Sequence, residues 1–295
     1  LDHIAWFVPN ISHASKAFDR LGFNLTTFVA QNNLHPSGGA PIPAGTGNRC
    51  AMLRRGYLEI LTTVDGEDTT PLARQLIKSV ERYTGVHLIA FTVDDTEAAH
   101  QRLNSEGFSP QKPVDLRRPI QLANGVEGEV AFTVLRVPPD CMEEGRIQIL
   151  RQETPELVWR EDLIAIENGL SALQGILIAV FDPENAVDRF SRFTGKVANG
   201  TKGHFNIDLD RGQISIVSEK KCLELLPQIE IPALPYMAAV ILESENLSKT
   251  KSFFDKEAIN YTQLSDGVIR INQSDAMGAT IVIVTRGEQW PLLRE

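Results

Sequence analysis

The sequence predicts an α+β chain of four βαβββ modules, paired into two half-barrel domains. Three observations carry this. Apolar runs with strand character open four segments, at residues 2–8, 86–93, 175–181 and 236–242. A helical stretch follows each run, and further short strands follow each helix. The first two segments also repeat at a near-constant offset: Gly22-Phe23 and Gly107-Phe108 stand 85 positions apart, and His3 and His87 stand 84 apart.

The elements read in order as follows. Residues 2–8 form a strand, and residues 11–21 a helix that stops at Gly22. Strands are expected at 24–30, 48–53 and 56–63. The stretch 31–47 is rich in Gly and Pro and reads as a long irregular loop. A helix at 70–82 joins the first module to the second, which has a strand at 86–93, a helix at 96–106 and strands at 130–137 and 146–151. Residues 153–172 read as a linker. The third module has a strand at 175–181, a helix at 184–193 and strands at 205–209 and 213–217. The fourth has a strand at 236–242, a helix to about residue 256 and strands at 267–272 and 279–284. A module with one helix covers one sheet face only, so its other face must be lined by a neighbour. Pairing modules one with two and three with four gives domains at 1–152 and 173–295.

Bulk properties limit the function. The chain has 295 residues, a net charge of −9 and a pI near 5.3. Such an acidic balance excludes a nucleic-acid partner, which needs concentrated basic surface. No apolar run approaches the roughly 20 residues of a membrane span, so no membrane role is expected. Cys50, Cys141 and Cys222 are scattered and odd in number, which points to a reducing cytoplasm and against a thiolate zinc site. The expected partner is a small-molecule substrate, with homodimerisation as a further expectation.

The chemistry-bearing residues fall at matching places of the first two modules. His3 and His87 lie in the opening strands, and Glu59 and Gln148 lie in the closing strands, each flanked by apolar residues. A carboxylate in such a strand is costly unless paired or bound to metal. LDHIAWFVPN, GTGNRCAMLRRGYLEIL and GVHLIAFTVDD together resemble the vicinal oxygen chelate superfamily, and within it the glyoxalase-like proteins. The resemblance covers residues 1–152. It implies glyoxalase/dioxygenase-like domains and one divalent metal ion (Fe, Mn, Co, Ni or Zn) held by His3, Glu59, His87 and Gln148. It also implies catalytic roles for Glu59 and Gln148. Two imidazoles and a carboxylate suit such an ion, whereas the Gln148 amide adds no charge.

The implied activity is Lewis-acid enolate stabilisation on a vicinally oxygenated, anionic substrate, of isomerase or lyase type. An Fe(II)-dependent ring-cleaving dioxygenase and a non-catalytic small-molecule binding or resistance protein are the alternatives. His35, Asn48 and Arg49 are the candidate substrate contacts. GTGN lacks the Lys and the following helix of a phosphate loop. His13 and His100 read as surface residues, and Trp6 and Phe91 as packing residues. At the metal positions modules three and four carry residues such as Ile176, Ala238, Ser215 and Val282, so the second domain is expected to lack metal ligands.

Overall fold

Each module begins the same way. A buried strand runs into an Asn or Asp that caps the next helix: Asn10, Asp95, Asp182 and Asn246 each accept a backbone N–H of the first helical turn through the side chain. The computed structural model describes residues 1–33, 39–66, 69–122, 127–165 and 167–292.

Module one comprises β1 (His3–Phe7), α1 (Ile11–Arg20), β2 (Val29–Asn33), β3 (Ile42–Met52) and β4 (Tyr57–Thr63). The connecting helix α2 (Pro71–Arg82) is capped by Thr70 and has Pro71 in its first turn. Module two comprises β5 (Gly85–Thr92), α3 (Thr96–Ser105), β6 (Val114–Gln121), β7 (Glu127–Arg136) and β8 (Arg146–Gln152). A short helix, α4 (Pro155–Val158), and a 3-10 turn at Glu161–Leu163 lead into the second half. Module three comprises β9 (Leu170–Val180), α5 (Pro183–Thr194), β10 (Ala198–Thr201), β11 (His204–Asp208) and β12 (Gln213–Ser218). Helix α6 (Glu219–Leu225) follows, and then module four: β13 (Tyr236–Ser244), α7 (Leu247–Lys256), β14 (Tyr261–Ser265), β15 (Val268–Ile271) and β16 (Thr280–Thr285).

The βαβββ repeat therefore occurs four times. Within each module the first and last strands pair in parallel, as β1 with β4, β5 with β8, β9 with β12 and β13 with β16. The antiparallel pair β1–β5 joins modules one and two, and β9–β13 joins three and four. Two further pairings, Met237 with Val86 and an isolated bridge between Arg55 and Ala172, link the two halves.

The helices cover the convex faces, and those faces meet. Ile4, Trp6, Phe18, Ile89, Phe190, Val240, Phe254 and Ile283, drawn from all four modules, lie in one apolar core. The Trp6 Nε1–H donates to the Ala276 carbonyl at 2.9 Å across that junction. The concave faces point away from this core and differ. In the second half the face is filled by Cys222, Leu226, Ile229 and Tyr236, with Trp290 packed against them. In the first half a smaller cluster that includes Phe7, Leu76, Leu88 and Leu150 fills part of the face. The rest is open.

One expectation needs correction here, and one helix stop differs from the first two. The stretch 31–47 is not one irregular loop, because β2 and β3 form a hairpin through much of it, with Asn33 opposite Ile42 and Val29 opposite Asn48. Gly47 permits this, since a Cβ there would overlap the Phe28 ring. The fourth module also lacks a visible Gly-Phe stop because Ala258-Ile259 takes its place. Ala258 adopts φ 52°, and Ile259 N donates to Phe254 O just as Phe23 N donates to Phe18 O.

Candidate ligand-binding and acid–base site

The open concave face of the first half encloses a cavity of about 810 Å³. Strand register orders its floor into two rows. The first runs Arg136, Gln148, Ala90, His3, Tyr57 across β7, β8, β5, β1 and β4. The second runs Arg146, Leu88, Ala5, Glu59, Cys50 across β8, β5, β1, β4 and β3. His3, Glu59 and Gln148 thus face one cavity, together with Asn48.

His3 is held from behind. Its Nδ1 lies 2.8 Å from Asp2 Oδ1, and Asp2 is fully buried. That bond directs Nε2 into the cavity. Tyr57 stacks on the imidazole with ring centroids 4.4 Å apart. Nε2 lies 3.7 Å from Glu59 Oε2, beyond direct hydrogen-bond range and too close to admit an atom between them, so the two groups stand side by side at the cavity. Amides orient Glu59: Asn48 Nδ2 donates to Oε1, and Gln31 Nε2 approaches the same oxygen at 3.4 Å. Gln31 is fixed in turn by the Thr46 hydroxyl, which donates to its Oε1 at 2.7 Å. Burial pushes the Tyr57 phenol well above its usual range, with the nearby Asp2 and Glu59 carboxylates adding to the effect, so it remains a proton donor at neutral pH.

His87 is not in this cavity. Ala5 pairs with Glu59 and Ala90 with Gln148, so Ala5 and Ala90 are equivalent positions. Two residues earlier in each strand stand His3 and Leu88, whose separation of 85 matches the Gly-Phe repeat. His87 is one position out of phase, and on a strand a one-residue slip reverses the side-chain face. The register shifts between Ala5/Leu88 and Trp6/Val86, leaving His87 as the extra residue of a bulge. Its Nε2 donates to the Tyr83 carbonyl at 2.8 Å, and its ring stacks on Tyr83 at 4.0 Å. Nδ1 is buried without a partner. Burial holds the imidazole pKa down at about 4, so His87 is neutral at pH 7.

Arg49 is also turned away. On β3 it alternates with the cavity-facing Asn48 and Cys50. Its guanidinium donates to Thr26 O at 2.7 Å and to the Ser15 hydroxyl of α1 at 2.9 Å. His35 lies outside the described residues.

What sequence reading missed is a set of arginines. Arg118 (β6), Arg136 (β7) and Arg146 (β8) line the cavity, and Arg160 stands at its rim, ion-paired to Asp162. Arg146 donates to Gln75 Oε1 at 2.8 Å and lies 4.9 Å from the Phe7 ring centre. Arg118 donates to Asn32 O. Arg136 differs, because its Nε is buried and has no partner. Burial lowers all three, and repulsion from Arg136 adds to the fall of Arg146 to about 9. All remain cationic at pH 7. The signal was in the sequence: Arg146 is two residues from Gln148 and therefore on its face.

Comparison with known proteins follows from this geometry. A family model described as a glyoxalase-like domain matches residues 1–194. The chain belongs to this glyoxalase-like family of the vicinal oxygen chelate superfamily. Among solved structures it is similar to a hypothetical protein from Staphylococcus aureus, with a TM-score of 0.66 at 14% identity, covering 96% of this chain and 98% of that one. It is also similar to a mutant 4-hydroxymandelate synthase from Streptomyces coelicolor, with a TM-score of 0.55 at 9% identity, covering 99% and 94%. A xylose isomerase-like TIM barrel/4-hydroxyphenylpyruvate dioxygenase fusion protein gives a TM-score of 0.53 at 12% identity, covering 98% of this chain and 49% of that one. At these identities the likeness establishes the fold. No curated protein matches the sequence.

The family implies a divalent metal, and the donor set tests it. Leu88 occupies the place of the second imidazole, which leaves one imidazole, one carboxylate and one amide. Among the described residues no three His, Cys, Asp or Glu side chains cluster as a metal site. Four guanidinium groups and two carboxylates, Glu59 and Glu127, line the same cavity. Asp162 on Arg160 and Asp2 behind His3 balance part of this charge, and on the β6–β8 side a dication would face Arg118, Arg136 and Arg146. These residues do not fit the expected two-imidazole centre, and the cavity's charge suits an anion.

Proposed function

We propose that the cavity binds an organic anion and that His3 and Glu59 move a proton on it, an isomerase- or lyase-type reaction beside an oxygenated carbon. The observation that carries this reading is the meeting of three guanidinium groups, the buried Arg146 and the half-buried Arg118 and Arg136, with an oriented His–Glu pair around one cavity. Arg136 and Gln148 bind the anionic group. Asp2 fixes the His3 ring, so that Nε2 and Glu59 Oε2 meet the reacting C–H from the same side of the cavity. The Tyr57 phenol donates to the oxyanion that develops. The apolar remainder of the floor limits water and strengthens each of these interactions. The three free cysteines support a reducing compartment.

The test is proton exchange in D₂O. The protein is incubated with 2-oxo and 2-hydroxy carboxylates, and loss of the exchangeable C–H signal is followed by NMR. Exchange is expected with the parent protein and is expected to fall about 100-fold or more in His3→Asn and Glu59→Gln. Ligand binding with no exchange for any acid would reduce the protein to a binding module.

A second reading rests on the Asp2–His3 hydrogen bond, the arrangement commonly found behind a metal-bound imidazole. In it His3, Glu59 and Gln148 would hold a divalent ion weakly, and the ion would supply Lewis-acid or, if iron, redox chemistry. Metal titration monitored by calorimetry, with His3→Asn as control, separates the readings. Tight binding lost in His3→Asn would favour the metal.

A further inference from the structure

We infer that the ligand is amphipathic: a carboxylate joined to an apolar body of medium-chain length, not a three-carbon oxo acid. This inference rests on taking the first-half cavity as the binding site.

Size is the first reason. At roughly 30 Å³ per water-sized unit, 810 Å³ holds about 27 such units. A three-carbon acid would leave most of the apolar wall against trapped water. Wall chemistry is the second. Leu25 and Val29 stand on one flank, Leu116 and Phe132 on the opposite flank, and Leu157 and Leu163 of the inter-half segment above. Such walls repay burial of methylenes.

The third reason is the separation of the polar groups. The arginines sit on β6, β7 and β8, whereas His3 and Glu59 sit on β1 and β4. From Arg136 to His3 the floor crosses three strand spacings, roughly 14 Å of contour at about 4.8 Å each. Long guanidinium side chains recover part of that distance. Two oxygens on adjacent carbons do not span the rest, so head group and reacting carbon are several bonds apart. Arg136 is the head-group anchor: Arg146 and Arg118 already donate to protein carbonyl oxygens, whereas Arg136 Nε has no acceptor among the described residues. A carboxylate on the Arg136 guanidinium would supply the missing charge partner.

Calorimetry with straight-chain acids from butanoate to dodecanoate, each paired with its primary alcohol, tests this. Affinity is expected to rise about fourfold per methylene, from roughly 0.8 kcal/mol per buried CH₂, until the cavity is full. The acid is expected to bind about tenfold or more tighter than its alcohol. Arg136→Met should abolish that preference while keeping the chain-length slope. Val130→Trp, which narrows the wall, should move the plateau to shorter chains. A flat slope, or an acid preference unchanged in a folded Arg136→Met, overturns the inference. Proton exchange on short oxo acids with a flat slope would sink this inference and leave the acid–base reading standing. A steep slope with acid preference but no exchange on any oxo acid of the favoured length would do the reverse.

Discussion

His87→Phe distinguishes a cavity histidine from a buried structural one. The imidazole is fully buried between Tyr83 and Phe7, and its folded pKa is about 4 against 6.5 in the unfolded chain. The unfolded state therefore binds more protons between these values, and stability rises with pH across that window. Above pH 6.5 both states are neutral and no penalty exists. As pH falls from 6.5 towards 4 the penalty grows, to about 3 kcal/mol at pH 4 from a shift of 2.5 units at 1.36 kcal/mol each. Phenylalanine keeps the stacking and has no proton to take up. It loses the donor to Tyr83 O, a cost of about 1 kcal/mol. The variant should therefore be slightly less stable than the parent at pH 7 and about 2 kcal/mol more stable at pH 4. Urea unfolding at pH 7, 6, 5 and 4 measures the difference, and acid effects common to both proteins cancel. Parallel pH profiles, or loss of ligand affinity in the variant at pH 7, would refute the placement of His87 outside the cavity.

Asp2→Asn should cut proton exchange by about 10–100-fold with ligand affinity little changed, because it reorients His3 without touching the arginines; exchange kinetics and calorimetry read the two quantities separately. Leu88→His should restore the second imidazole and produce binding of Co(II), visible in its d–d spectrum. It should also cost about 2–3 kcal/mol, since Leu88 is buried in the apolar floor. An absence of cobalt binding in the folded variant would mean that position 88 does not share a coordination sphere with His3 and Glu59. Arg49→Met should lower stability by about 1–3 kcal/mol through its bonds to Thr26 and Ser15, while ligand affinity stays the same.

The modular fold was legible because it is written locally. An apolar run, an Asn or Asp and a helix occur in order in every module, and the Gly-Phe stop shared by the first two ties those together. Strand β6 was missed because VDLRRPIQ has neither an apolar run nor clean alternation. It pairs along its length with β7, and nothing within the segment announces that partner. His3, Glu59 and Gln148 were named from position within the repeat and Asn48 from the family resemblance, and all four line the cavity. His87 was misplaced by one residue. Offsets of 84 and 85 look alike to a search for similarity but are opposite for a pleated strand. The arginine cluster depends on three strands curving toward one space, a tertiary fact that no window of sequence contains.

The two halves show what the fold itself requires. At the place of Glu59 the second half has Ser215, opposite Leu177 as Glu59 is opposite Ala5. At the place of Gln148 it has Val282, and Val282 packs into the apolar filling with Cys222 and Tyr236. A concave face can therefore be closed by ordinary packing, using the helix that follows the third module. In the first half the corresponding helix, α2, closes one end only, through Leu76, and spends Gln75 on Arg146. The open end retains guanidinium groups that raise the energy of the empty protein by partial desolvation and mutual repulsion. The second half keeps an arginine, Arg270, at the place of Arg136, but it has Ser215 at the place of Glu59 and a filled concave face. The gathering of Arg118, Arg136 and Arg146 beside an oriented histidine is best accounted for by a bound anion that relieves the repulsion, which is why ligand affinity, more than metal content, is the first quantity to measure.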